Sequence, residues 1–133
     1  MEPEPAFALD IEGDRVVLAP ARSGLTILVG SERVGEVSLE QEGGVLVVRQ
    51  LRIEDRRRGR GLGSDAGRAL LRAAADAGRW SAVRAAVPAD RGLGVYFWSR
   101  MGLRPLHGEG PDGGIWLQRD VSEASPGASP SGA

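Results

Sequence analysis

Residues 45–87, VLVVRQLRIEDRRRGRGLGSDAGRALLRAAADAGRWSAVRAAV, hold the fold in outline. Val45 to Ile53 is a run of strand-forming residues whose apolar phase changes: Leu46 and Val48 share one parity, Leu51 and Ile53 the other. A bulge near Arg49 and Gln50 produces such a slip, and a strand buried on both faces also shows loose alternation. Leu62, Ala66, Ala69, Leu70, Ala73 and Ala77 then recur at helical spacing, with Asp65, Arg68, Arg72 and Asp76 assigned to the polar face. Gly78 suits the left-handed residue that ends a helix. Val83, Ala85 and Val87 alternate as a strand stopped by Pro88. Strand, helix and strand in that order predict a right-handed crossover between parallel neighbours.

On the N-terminal side, Phe7, Leu9 and Ile11 alternate, DRVVL follows a Glu-Gly-Asp turn, and LTILV and VGEVSLE flank GSER as a hairpin. APARSG, within the segment Val16 to Leu25, reads as a turn. On the C-terminal side a second short helix is expected from about Leu93 to Met101, ending near Gly102, then two strands around LRPLH and GGIWLQRD. The fold class is α/β in the α+β sense: a mixed, mostly antiparallel central sheet containing one parallel pair. With 133 residues, 41% of them hydrophobic, one domain over 6–120 is expected. Residues 1–5 are read as a disordered N-terminus. The tail 121–133, VSEASPGASPSGA, is small, polar and proline-punctuated and is read as disordered.

Composition removes whole classes of chemistry. There is no cysteine, hence no disulfide, thiolate nucleophile or cysteine metal site. All 17 basic residues are arginine, which excludes a Walker phosphate loop and a Schiff-base lysine. No metal site is expected. Formal net charge is -1, so the positive charge of residues 56–60 is local. MEPEPAFALD lacks the positive start and apolar run of a signal peptide, and no stretch reaches membrane-span length. A cytoplasmic protein with no membrane partner is expected.

Arginines beside glycines at the start of a helix make a phosphate site. The first turn of a helix presents unpaired N–H groups and a partial positive charge, and glycines let an anion reach the backbone. GLGSDA, Gly61 to Ala66, formally satisfies the dinucleotide fingerprint G-x-G-x-x-A. That fingerprint needs its first glycine where the strand ends, whereas here EDRRRGR intervenes, and a single strand-helix-strand unit is present. A nucleic-acid grip is the next reading. Glu54 and Asp55 precede the arginines and no aromatic residue sits near them for stacking, which argues against a nucleic-acid partner. A solvated loop capping the helix explains the charge but not the alternating glycines.

The stretch RRGRGLGSDAGRALL resembles the acetyl-coenzyme A signature of the GNAT superfamily of N-acetyltransferases, [R/Q]-x-x-G-x-[G/A], read as Arg58 through Gly63. LVVRQLRI before it, SAVRAAV after its helix and YFWSRMGL beyond extend the resemblance over about Leu25 to Leu117. It implies a GNAT-like fold in which the two parallel strands splay apart and acetyl-CoA lies between them. Backbone amides from Arg58, Gly59, Arg60, Gly61, Leu62, Gly63 and Ser64 would hold the pyrophosphate, helped by the Arg58 and Arg60 side chains. The strand ending at Ile53 would pair with the pantetheine arm. Transfer of the acetyl group to an amine would be direct, because no cysteine exists to carry it.

The sequence departs from the family in three places. In the family pattern N-x-x-A-x-x-[L/F]-Y-x-x-x-G-[F/L] the tyrosine protonates the departing thiolate, and that position here is Trp98, with Arg91 and Gly94 at the asparagine and alanine positions. Indole N–H is a donor but no practical acid. The chain's sole tyrosine, Tyr96, is the candidate catalytic acid; the alternative is an ordinary rim or core aromatic. Val45 to Ile53 carries no carboxylate to act as base. Glu36, Glu40 and Glu54 are the nearest, each more simply a solvent-facing residue, and His107 reads as a surface histidine. Finally, the two helices that in the family wall the acceptor pocket have no room between Val16 and Leu25. The acceptor site is then shallow or completed by another chain, as in a homodimer, which favours an exposed or macromolecular amine over a small buried one. Two function classes follow: an acetyl-CoA-dependent N-acetyltransferase, and a non-catalytic acyl-CoA-binding module of the same fold.

Overall fold

The computed structural model describes residues 11–89, 92–108 and 110–121. The strands are Ile11–Glu12 (β1), Val17–Ala21 (β2), Gly24–Val29 (β3), Glu32–Glu42 (β4), Val45–Ile53 (β5), Ala82–Val87 (β6), Arg104–Pro105 (β7) and Ile115–Asp120 (β8). They form one sheet in the order β1-β2-β3-β4-β5-β6-β8-β7. Every neighbouring pair is antiparallel except β5 and β6, which are parallel. Helix α1 (Leu62–Ala77) makes the crossover between that pair, and α2 (Gly92–Arg100) joins β6 to β7. The mixed sheet and its single parallel pair are those expected from the sequence. Phe7, Leu9, residues 1–5 and residues 122–133 lie outside the described residues.

Period-two alternation turns one face of the sheet toward the helices. Leu18, Leu25, Ile27, Val37, Leu39, Leu46, Val48, Val83, Ala85 and Leu117 are buried in one cluster with Leu62, Ala66, Ala69 and Leu70 of α1. The two helices touch each other as well: a Cβ built on Gly67 of α1 would lie 3.3 Å from the Phe97 ring and 3.4 Å from the Met101 sulfur. Full burial of a leucine such as Leu70 contributes about 1.5–3 kcal/mol. Leu70→Ala would therefore loosen both the helix and the sheet beneath it.

Local chemistry fixes the ends. Gly78 is left-handed at φ 73°, as its position after the apolar repeat predicts. At the end of α2, the Gly102 N–H donates to Ser99 O and the Leu103 N–H to Trp98 O, each at 3.0 Å, with Gly102 at φ 94°. This Schellman closure satisfies two carbonyls of the last turn and buries Leu103. The stretch LRPLH gives only the two-residue β7, because Pro105 has no N–H to extend a ladder.

Three expectations are adjusted. Of APARSG, Ala19–Ala21 belongs to β2 and the chain reverses at Arg22 and Ser23 alone. Packing extends to Val121, which is buried and whose N–H donates to Ser81 O at 2.9 Å. Asp65 is not on the polar face: it is 3% exposed, beneath the turn between β1 and β2. Its spacing from Leu62 and Ala69 placed it on the buried face, against the usual preference of a carboxylate for water. Among the described residues no helix lies between β1 and β3, and no helix is long and apolar enough to cross a membrane.

Candidate functional site

β5 and β6 are bonded only from Val45–Ala82 to Val48–Ala85. Along the β4 side of β5, Leu39 is opposite Val48 and Ser38 is opposite Gln50, so Arg49 has no partner: it is the extra residue of a bulge. The bulge and burial on both faces each explain part of the phase change, since Leu46, Val47 and Val48 are all buried. Past Arg49, β5 bends away from β6 while β6 continues beside β8 to Val87. A cleft of about 1040 Å³ opens in the gap, walled by Gln50–Ile53 on one side and by Ala86–Pro88 with α2 on the other.

Backbone groups face this cleft from two directions. The Glu54 N–H donates to Val34 O at 2.8 Å, so with antiparallel alternation Arg52 and Gln50 also bond toward β4. Leu51 and Ile53 therefore direct their N–H and C=O groups to the open edge. The Ile53 carbonyl accepts from Arg58 Nε at 3.1 Å. From below comes the start of α1. Gly59 and Gly61 are left-handed at φ 81° and 77°, and no side chain caps the helix. The first helical bond is Asp65 N–H to Gly61 O at 3.0 Å, leaving the amides of Leu62, Gly63 and Ser64 without an acceptor inside the helix.

The arginines are more committed than their number suggests. Arg57 is bonded to Glu32, and that hydrogen bond together with the guanidinium charge holds the Glu32 carboxyl below the usual carboxylate range. Arg56 lies 3.7 Å from Glu32 and 3.8 Å from Glu54, and Arg58 Nη2 is 3.2 Å from Asp55. These contacts fix the short 3-10 turn Asp55–Arg57 that carries the chain from β5 to the glycines.

Ile53, Arg58, Gly59, Gly61, Leu62, Gly63 and Ser64 all border the cleft; Arg60 does not. Tyr96 stands at the rim, 63% exposed, with the Arg100 guanidinium 5.7 Å from its ring centre. Trp98 borders the same cleft but is 5% exposed and packs edge-to-face on Phe97 at 4.9 Å. Of the three glutamates considered as bases, Glu36 pairs with Arg33, Glu40 with Arg49 and Glu54 with Arg33, and none borders the cleft. His107 is exposed and away from it, and Arg91 lies outside the described residues. Among the described residues no group of three or more histidines and carboxylates could hold a metal ion.

Sequence reasoning missed one contact to the glycine turn. Arg15, between β1 and β2, donates from Nη1 to Arg60 O at 2.6 Å and from Nη2 to Gly61 O at 2.9 Å. Nothing in the spacing of residues 12–16 signals it, since the contact joins segments 45 residues apart.

No family model and no curated protein matches the sequence. Solved structures do match the fold. An acetyltransferase of Thermus thermophilus is 24% identical with a TM-score of 0.62, covering 80% of this chain and 65% of that one. The GNAT-family acetyltransferase of Bacillus anthracis is 8% identical with a TM-score of 0.72, covering 86% of this chain and 100% of that one. The PaiA N-acetyltransferase of Thermoplasma acidophilum, solved in complex with coenzyme A, is 15% identical with a TM-score of 0.58, covering 72% of this chain and 58% of that one. This chain thus spans about two thirds of the Thermus protein. The splayed parallel pair, the bulge that opens it and the crossover helix between its strands belong to one architecture, and the chain has the fold of the GNAT acetyltransferases.

Proposed function

We propose that the chain binds acetyl-CoA and transfers its acetyl group directly to a primary amine. The observation that carries this reading is the convergence, in one cleft, of the unpaired amides at the start of α1 and the open edge of β5. The first suits a pyrophosphate. The second suits the amide-bearing pantetheine arm, which can pair with the N–H and C=O groups of Leu51 and the N–H of Ile53 as an added strand would. The PaiA protein of the same fold was solved with coenzyme A, which supports that ligand.

With the pyrophosphate on Gly61–Ser64, the thioester reaches the bulge, where a free backbone N–H can donate to its carbonyl oxygen as charge develops there. The amine attacks the thioester carbon, the C–N bond forms and the C–S bond breaks. The amine proton passes to water, and coenzyme A leaves as a thiolate that takes a proton from Tyr96 or from water. Holding thioester and amine together supplies most of the rate. The open approach to the cleft favours an amine presented by a protein or another exposed acceptor.

A second reading, an acyl-CoA-binding module without chemistry, is favoured by buried Trp98 at the family's tyrosine position and by the absence of a carboxylate among the described residues bordering the cleft. Calorimetric titration with acetyl-CoA followed by steady-state assays on a panel of amines separates the readings. Binding with turnover supports the transferase, binding without turnover the module, and absence of binding overturns both.

A further inference from the structure

We propose that Arg15 is a positioning residue for the anion-binding turn, setting the direction of the Gly61 and Leu62 amides from behind. The inference rests on the reading that this turn binds the pyrophosphate of coenzyme A. The Arg15 guanidinium spans two consecutive carbonyls, those of Arg60 and Gly61, at 2.6 and 2.9 Å. Each carbonyl shares its peptide plane with the next residue's N–H, and in a trans peptide the two point in opposite directions. Tying both carbonyls to one rigid fork turns the Gly61 and Leu62 N–H groups the other way. Gly61 and Leu62 border the cleft, whereas Arg15 and Arg60 do not, so the fork acts from the far side. The same bonds polarise both peptides and place a fixed positive charge behind the turn, which strengthens donation to an anion.

The fork is itself held in place. The Arg15 and Val16 N–H groups donate to Asp65 Oδ2 at 2.7 and 3.1 Å, and the Asp14 N–H to Oδ1 at 3.3 Å. Asp65 is 3% exposed and sits in the first turn of α1, so the element that begins at the anion site also anchors the residue that orients it. Both contacts are close: a Cβ on Gly13 would lie 3.0 Å from Asp65 Oδ2, and one on Gly61 would lie 2.8 Å from Arg15 Nη2, so a side chain at Gly61 would push the guanidinium aside. The three amides on Asp65 also absorb a negative charge that would otherwise oppose an incoming phosphate. Lysine cannot replace the fork, because a single ammonium does not bridge two carbonyls in a fixed plane.

The test is titration of coenzyme A, and separately of pantetheine, which has the same arm but no phosphate, into the wild type, Arg15→Lys and Arg15→Gln. Thermal midpoints are measured alongside as a check on folding. The inference expects coenzyme A to bind the variants about tenfold or more weakly, the scale of one charge-assisted contact, while pantetheine affinity changes less than twofold. Loss of both ligands to the same degree would mean that Arg15 serves only the fold and would overturn the inference. So would coenzyme A affinity within twofold of wild type, with the acetyl-CoA reading left standing. If the wild type binds no coenzyme A, the functional reading fails and this inference with it. Should Arg15→Gln not fold, Arg15→Lys alone decides the outcome.

Discussion

The guanidinium of Arg49 lies 3.0 Å from the Glu40 carboxylate and 5.3 Å from the centre of the Trp116 ring. Arg49 is the unpaired residue of the β5 bulge, so the residue that opens the cleft has its side chain occupied by partners on β4 and β8. Deleting Arg49 would leave Val48, Gln50, Leu51, Arg52 and Ile53 in strict alternation against β4, with the apolar members still facing α1. The deletion variant is expected to fold with an undiminished thermal midpoint and to lose affinity for acetyl-CoA by tenfold or more, on the order of one pantetheine hydrogen bond or greater. A variant that binds as well as wild type would show that the splay does not depend on the bulge.

Gly63 occupies the first turn of α1 inside the cleft, and a Cβ there would meet Ile53 Cγ1 at 3.6 Å and Leu51 Cδ2 at 3.8 Å, ordinary contacts. The β-carbon of Gly63→Asp is thus accommodated. An acidic residue at a helix start contributes about 0.3–1 kcal/mol to the helix, while the same charge repels a bound phosphate. Thermal stability should hold or rise slightly as acetyl-CoA binding falls at least about tenfold. Gly63→Ala, measured in parallel by calorimetry, separates charge from bulk and should fall less.

Much of the fold was legible because it depends on local periodicity. The Leu62–Ala77 repeat, Gly78 after it and the phase change at Arg49 each carry their information within a few residues. The glycine turn was legible for the same reason: unpaired amides follow from any helix start, and Gly59 and Gly61 advertise positive φ. What escaped is non-local. Asp65 has the phase of a buried residue but the chemistry of an exposed one, and only the three amides of the β1–β2 turn, some 50 residues away, reconcile the two. The arginines misled in the opposite sense. Their clustering implied free charge, yet Arg56, Arg57 and Arg58 are each paired with a carboxylate of β4 or of the preceding turn.

Tyr96 and Trp98 lie two positions apart on α2 and face different surroundings, 63% and 5% exposed. If the Tyr96 hydroxyl protonates the departing thiolate, Tyr96→Phe should lower kcat about tenfold with little change in KM for acetyl-CoA. That is less than a typical general acid contributes, because water reaches so exposed a site. Unchanged kcat would assign the proton to solvent. Trp98→Tyr supplies the complementary measurement. A phenol at the buried position should raise kcat if an acid is limiting, and a smaller thermal midpoint would report the packing lost against Phe97.

The pair between Glu32 and Arg57 gives the glycine turn a pH dependence of known sign. Hydrogen bonding and the guanidinium charge hold the Glu32 carboxyl below its unfolded value, so the folded state binds its proton less readily than the unfolded state does. The stabilisation is fully present above the ordinary carboxylate pKa of about 4.3 and disappears as pH falls through the lowered folded value. Denaturant midpoints of wild type and Glu32→Gln should therefore differ at pH 7, with the variant lower, and converge once the pH falls below the lowered folded value. Because the pair is exposed, 0.5 M salt should shrink the difference at pH 7. A gap that persists undiminished at low pH would mean that Glu32 acts through packing, and Arg57 would then hold the turn without its charge partner.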